Sequence, residues 1–150
     1  MIRPCLFTRI SLTESAFGPP DLVSQLASPK LRPLVLVGDG AFQMTGMELS
    51  TIARYGLNPV VVLLNNRGYG TERHMQDGPY NDVWNWKYYR LPDVLGAGRG
   101  FLVRTEDELV RALQEAKSHV GSFCLLEVQL GQSDRSPALQ RLAERLGRNI

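Results

Sequence analysis

The chain has 150 residues, 43% hydrophobic and 21% charged, which suits one soluble globular domain with its own core. Its net charge of +2 and pI of about 8.7 come without a dense Lys/Arg cluster, which argues against a nucleic-acid-binding face. Two cysteines make no disulfide framework, and no stretch approaches the ~20 apolar residues a bilayer span needs. Residues 1 to 33 show no clean period, apart from a short helix expected near Asp21 to Ala27. The start "MIRPCLFTRISLTES" has the basic and hydroxyl residues of a transit peptide, but its apolar patch is too short for a secretory signal, so a cytoplasmic protein is expected.

From Leu34 the chain becomes regular. "LVLVG" (34–38) reads as a buried parallel strand. "TGMELSTIARYG" follows as a helix, with Met47, Leu49, Ile52, Ala53 and Leu57 near helical spacing and Gly56 as its C-cap. "VVVLLN" (60–65) is a second buried strand. The irregular stretch from Asn66 to about Asp82 exceeds a usual connection and is a candidate functional loop. A short helix interrupted by Pro92 is expected in "NWKYYRLPDVLGAG", then a strand in "GFLVR" (100–104). In "TEDELVRALQEAKSH", Thr105 is the expected N-cap and Leu109, Ala112, Leu113 and Ala116 share one face. A strand in "SFCLLEVQL" and a helix in "SPALQRLAERLG", with Ser136 as N-cap and Pro137 at its first position, complete the pattern. This alternation predicts a three-layer α/β/α fold with a mainly parallel sheet.

Parallel sheets present ligands beyond the carboxyl ends of their strands, and two ends here are chemically loaded. Gly38-Asp39-Gly40 places a carboxylate between two residues without side chains, before a helix whose amides can face an anion. Asn65-Asn66 ends the next strand, one crossover away. Asp39, an Asn66 amide oxygen and a Gly68 carbonyl would give Mg²⁺ three oxygen ligands, leaving phosphate and water to complete six. Other residues read more plainly. Cys124 packs as a small hydrophobe, with nothing nearby to activate it. His74 reads as a surface or packing residue, Trp84 and Trp86 as core or interface anchors, "GAGRG" (96–100) as a loop, and the basic run at Arg145–Arg148 as a solvated helix end.

Gly-Asp-Gly followed, 27 positions from Asp39 to Asn66, by Asn-Asn resembles the signature of thiamine-diphosphate-dependent enzymes. "GDGAFQMTGMELSTIARYGLNPVVVLLNNRGYGTE", "YNDVWNW" and "LPDVLGA" resemble the pyruvate and indolepyruvate decarboxylase branch, over about Leu31 to Leu139. The resemblance implies thiamine diphosphate and Mg²⁺ as cofactors. Asp39, Asn66 and the Gly68 carbonyl would be metal ligands; Gly38, Gly40, Ala41, Tyr69 and Thr71 would line the diphosphate together with them. Glu72 stands where this branch carries a catalytic acid, whereas the acetolactate synthase branch has an apolar residue near there. It implies a non-oxidative 2-oxo acid decarboxylase in which the cofactor is the electron sink and Glu72 takes part in proton transfers.

The chain departs from the family in two ways. Its enzymes are longer and carry a pyrimidine-binding domain with an activating glutamate, and residues 1 to about 20 here match nothing in them. The expected organisation is an atypical segment at 1–30 and a diphosphate-binding domain at 31–150. The expected function is that domain of a decarboxylase, inactive alone and completed by a homo-oligomer or a separate pyrimidine-domain chain. A non-catalytic binding module, a truncated fragment or part of an acetolactate synthase-like enzyme are the alternatives.

Overall fold

Short apolar runs rich in Val and Leu cannot reach helical length, and they build the sheet. The computed structural model describes residues 10–13, 25–73, 76–134, 136–138, 140 and 141. Among these, five strands form one sheet: β1 (Ile10–Thr13), β2 (Leu34–Gly38), β3 (Val60–Asn65), β4 (Arg99–Val103) and β5 (Cys124–Gln129). Their order is β1-β2-β3-β5-β4, and every neighbouring pair is parallel. Alternate residues face opposite layers. Val35, Val37, Val61, Leu63 and Leu125 pack with Phe42, Leu49, Ile52, Tyr88 and Phe123 on one face. Val60, Val62, Val103, Cys124 and Leu126 pack with Ala112 and Ala116 on the other. Burial on both faces is what the unbroken apolar runs predict, and the α/β architecture is the expected one.

The crossovers differ from expectation in detail. Helix α1 (Asp39–Thr45) starts directly at the end of β2, six residues before the periodic pattern suggests. Phe42 is fully buried and is its core anchor. A 3₁₀ turn (Gly46–Glu48) then leads into α2 (Leu49–Arg54). The tighter turn shifts the angular step, so Met47 points to solvent at 57% exposure while Leu49 and Ile52 are buried. Gly56, at φ 61°, closes α2 as predicted: its amide donates to Ala53 O and that of Leu57 to Ile52 O, a Schellman pair.

After β3 come α3 (Gly70–Arg73), 3₁₀ turns at Pro79–Asn81 and Tyr88–Arg90, and α4 (Leu91–Leu95). Pro92 does not interrupt α4; it sits in the first turn, where a missing N–H is no loss. Gly96 caps α4 in the left-handed region, and Arg99 and Gly100 already belong to β4, so "GAGRG" is half loop and half strand. Helix α5 (Glu106–Ser118) begins on the predicted Thr105 cap, whose hydroxyl accepts from the Glu108 amide at 3.2 Å. Residues 137, 138, 140 and 141 are helical after Ser136. Cys5, His74, the Arg145–Arg148 run, most of the Asp21–Ala27 stretch and the rest of the final helix lie outside the described residues.

Two features were not expected. β1 adds an edge strand within the segment that shows no period. Arg32, also from that segment, is 6% exposed and caps the last turn of α5. Its guanidinium donates to the carbonyls of Ala116 (2.7 Å), Lys117 (3.4 Å) and His119 (2.9 Å), and its Nε to Asn58 O. Arg32 Nη2 also lies 3.9 Å from Cys124 Sγ, so the thiol does have a cation beside it; burial nonetheless pushes it up, which keeps it inert. Among the described residues no helix is long and apolar enough to cross a membrane.

Candidate functional site

β2 and β3 are neighbours in register, with Gly38 opposite Leu64. Their carboxyl ends therefore sit side by side, and the two motifs read from the sequence meet there. Asp39, the first residue of α1, is 1% exposed, and its Oδ2 has no hydrogen-bond partner. Burial pushes its carboxyl up to about 6; the backbone amides of Gly40, Asp39, Gly68 and Arg67 pull the other way without offsetting it.

The loop after β3 comes back onto this carboxylate. Oriented with its nitrogen toward them, the Asn66 carboxamide donates to Asp39 Oδ1 at 3.1 Å and to the Gly68 carbonyl at 2.8 Å. Turned over, the same group brings a third oxygen to the Asp39 and Gly68 oxygens, an arrangement that only a cation makes favourable. A buried carboxylate with one oxygen left unpartnered, an amide beside its other oxygen and a carbonyl beside that amide are hard oxygen donors that fit Mg²⁺. Among the described residues no group of three or more His, Cys, Asp or Glu forms a metal site, so a cation here depends on this mixed set and on phosphate oxygens from a ligand. Gly70 makes room for the arrangement: a Cβ there would lie 2.5 Å from the Asn66 carboxamide.

The remaining predicted residues cluster around this point. Gly40 and Ala41 are buried in the first turn of α1, and the half-buried Tyr69 ring packs against Gly40. Gly38 ends β2 in extended conformation, and Thr71 is half-buried on α3. Glu72 lies on the same helix but is exposed. Trp86 packs on the core 5.8 Å from the Tyr88 ring, whereas Trp84 is 82% exposed. Tyr88 is fully buried; Gln43 of α1 donates to its hydroxyl at 2.7 Å and to the Trp84 carbonyl, tying the aromatic segment to the site helix.

The long loop is built rather than loose. Gly68 bridges to Asp82, and the Tyr69 amide donates to Asn81 O at 2.9 Å. The Arg73 guanidinium bonds Asp82 (2.8 Å) and Asp77 (3.0 Å), and these contacts, that to Asp82 first, hold it charged. Two residues escaped the sequence reading. Asn85 accepts from Asn65 Nδ2 at 2.9 Å, and Glu127, 1% exposed in the middle of β5, accepts from the same nitrogen at 2.8 Å. A charged residue inside "FCLLEVQL" was the available signal. Beyond Asn65 a polar cleft of about 220 Å³ is lined by Arg67, Asn85, Gln129 and Leu130.

The family described as thiamine pyrophosphate enzyme, C-terminal TPP binding domain, matches residues 18–128. The chain belongs to this family. Among its relatives, an alpha-keto-acid decarboxylase of Mycolicibacterium paratuberculosis is 44% identical over 116 residues, covering 75% of this chain and 21% of its own. Pyruvate decarboxylase 4 of Arabidopsis thaliana is 38% identical over 125 residues, covering 80% and 21%. A Rhodococcus jostii RHA1 thiamine diphosphate-dependent 4-hydroxybenzoylformate decarboxylase shares the fold with a TM-score of 0.70 at 29% identity, over 81% of this chain and 24% of that one. The chain thus spans about a fifth of the length of the curated relatives it matches. It is a C-terminal thiamine pyrophosphate-binding domain, as the paired motifs indicated.

The raised Asp39 carboxyl has a measurable consequence for this domain. Folded, Asp39 keeps its proton up to about pH 6, whereas the unfolded chain releases it near pH 4. Without ligand, the contribution of Asp39 to stability should therefore be greatest below about pH 4, fall as pH rises from about 4 to 6 by no more than about 3 kcal/mol, and then level off. Asp39→Asn should flatten that part of the profile. Urea titrations at several pH values read both; a wild-type profile that rises through this window relative to Asp39→Asn would contradict the environment described for Asp39.

Proposed function

We propose that this domain holds the diphosphate of thiamine diphosphate through Mg²⁺, and serves non-oxidative decarboxylation of a 2-oxo acid. The observation that carries the reading is the convergence of the Asp39 carboxylate, whose Oδ2 has no partner, the Asn66 carboxamide and the Gly68 carbonyl at two adjacent strand ends, in a chain of this family. Asp39, Asn66 and Gly68 would hold the metal. The first turn of α1, with Gly38, Gly40 and Ala41, and the stretch Tyr69 to Thr71 would border the diphosphate. When bound, the cofactor supplies the electron sink for the bond that breaks as carbon dioxide leaves.

Glu72, two residues from Gly70 on α3, would be the group on this chain that carries a proton. Its exposure means that water must be kept from it by something packed over α3. We assign that cover to a pyrimidine-binding domain, in this polypeptide, a second copy or a separate chain. The names of the relatives support a 2-oxo acid as substrate. The buried free thiol of Cys124 suits a reducing compartment, in keeping with a cytoplasmic protein.

The test is calorimetric titration of thiamine diphosphate into the purified chain, with Mg²⁺ and then with EDTA. Binding that EDTA abolishes is the expected result. Binding undiminished by EDTA, or none at millimolar cofactor with Mg²⁺, would overturn the metal assignment.

A further inference from the structure

The turn that carries Asn66 and Gly68 pivots on Arg67, which adopts φ 62° although it is not glycine. A left-handed side-chain-bearing residue persists only where its surroundings fix it. Two bonds do so: the Arg67 amide donates to Asn65 Oδ1 at 3.2 Å, and its carbonyl accepts from the Val83 amide at 3.2 Å. The first bond requires Asn65 to present oxygen, not nitrogen, to the turn. That orientation is set from the other end of the carboxamide, where Nδ2 donates to Glu127 Oε1 at 2.8 Å and to Asn85 Oδ1 at 2.9 Å. Asn85 is exposed and its own amide can turn. Glu127 cannot: it is fixed in β5 between β3 and β4, buried, with Oε2 accepting from the Tyr89 amide at 3.1 Å.

We propose that Glu127 is a positioning residue of the metal site. Through Asn65 it locks the left-handed turn at Arg67, and the turn aims Asn66 and Gly68 at Asp39. This rests on the metal reading above for its function, though the lock itself does not need a metal. A carboxylate buried among neutral donors is an expensive way to fill a core position, which a leucine would fill better; it is suited to this place because both of its oxygens must accept.

The polarity makes the proposal testable. In Glu127→Gln one end of the new amide must present N–H to a donor, either Asn65 Nδ2 or the Tyr89 amide. Combined with Asn65→Asp, the bond re-forms in reverse: Gln donates to the Asp carboxylate and accepts from Tyr89, while the Asp accepts from Arg67, at unchanged net charge. Two measurements apply to the wild-type chain, E127Q and N65D/E127Q. In Mg²⁺-dependent thiamine diphosphate binding by calorimetry, E127Q should be at least tenfold weaker and the double variant should return to within about threefold of wild type. In amide hydrogen exchange, the Arg67 amide should exchange at least tenfold faster in E127Q and recover in the double variant.

Wild-type-like affinity in E127Q, or a double variant no better than the single one, would overturn the positioning role. Should the wild-type chain show no Mg²⁺-dependent binding, the metal reading falls by itself. The lock is then judged on Arg67 exchange: loss and recovery support it, and unchanged exchange overturns it.

Discussion

Asp39→Ala is expected to invert the order of stability between variant and wild type when ligand is added. Without ligand, the variant should melt several degrees higher at pH 7, because it removes a buried carboxylate that burial disfavours. With saturating Mg²⁺ and thiamine diphosphate, wild type should gain by mass action and the variant should not. The affinity of the variant should fall at least 100-fold, about 3 kcal/mol. The orphan Oδ2 and the Asn66 carboxamide beside Oδ1 are the reason: the residue is placed for a cation rather than for the fold. Thermal melts of both proteins, with and without ligand, decide the matter. Equal ligand-induced shifts would sink the metal assignment, and a variant that melts below wild type without ligand would mean that Asp39 is structural.

The second large effect lies on the opposite side of the sheet. Arg32→Ala should destabilise the chain by about 3 kcal/mol, a drop of roughly 6–12 °C in melting temperature. The substitution takes charged donors away from the carbonyls of Ala116, Lys117 and His119 at the end of α5, leaving the buried Ala116 acceptor and two part-buried ones unmatched. Arg32→Lys should recover only part, since an ammonium cannot span three acceptors as a planar guanidinium does. The same loss should open Cys124 to thiol reagents, because Arg32 covers its sulfur. A change below about 1 kcal/mol in urea unfolding would show that water replaces the guanidinium at those carbonyls.

What the sequence made legible follows the distance over which the information travels. β2, β3 and β5 announce themselves by unbroken apolar runs. Asp39 and Asn66 stand out because each ends such a run with a polar group, and adjacent parallel strands bring their ends together. The Thr105 cap and the Gly56 cap are local chemistry and were readable as such. The start of α1 was not, because Gly-Asp-Gly looks like a turn and only the burial of Phe42 makes it helix. Arg32 was invisible because its partners lie 26 residues away at Asn58 and 84 to 87 residues away at the end of α5. β1 was invisible for a similar reason: an edge strand of four residues exists through its pairing with β2, not through a pattern of its own. Glu127 interrupts an apolar run, and its meaning depends on Asn65, 62 positions earlier.

The strand order carries a consequence for the making of the protein. β3 lies between β2, which precedes it in the chain, and β5, the last strand in chain order among the described residues. The carboxamide of Asn65 is gripped by Glu127 of β5, so the loop beside it has its geometry only once β5 has docked. A nascent chain that has exposed both motifs, but not yet residues 124–129, lacks the clamp between them. Cofactor capture is therefore an event of the completed sheet, and a ribosome stalled before β5 would display the sequence signature without the pocket it stands for.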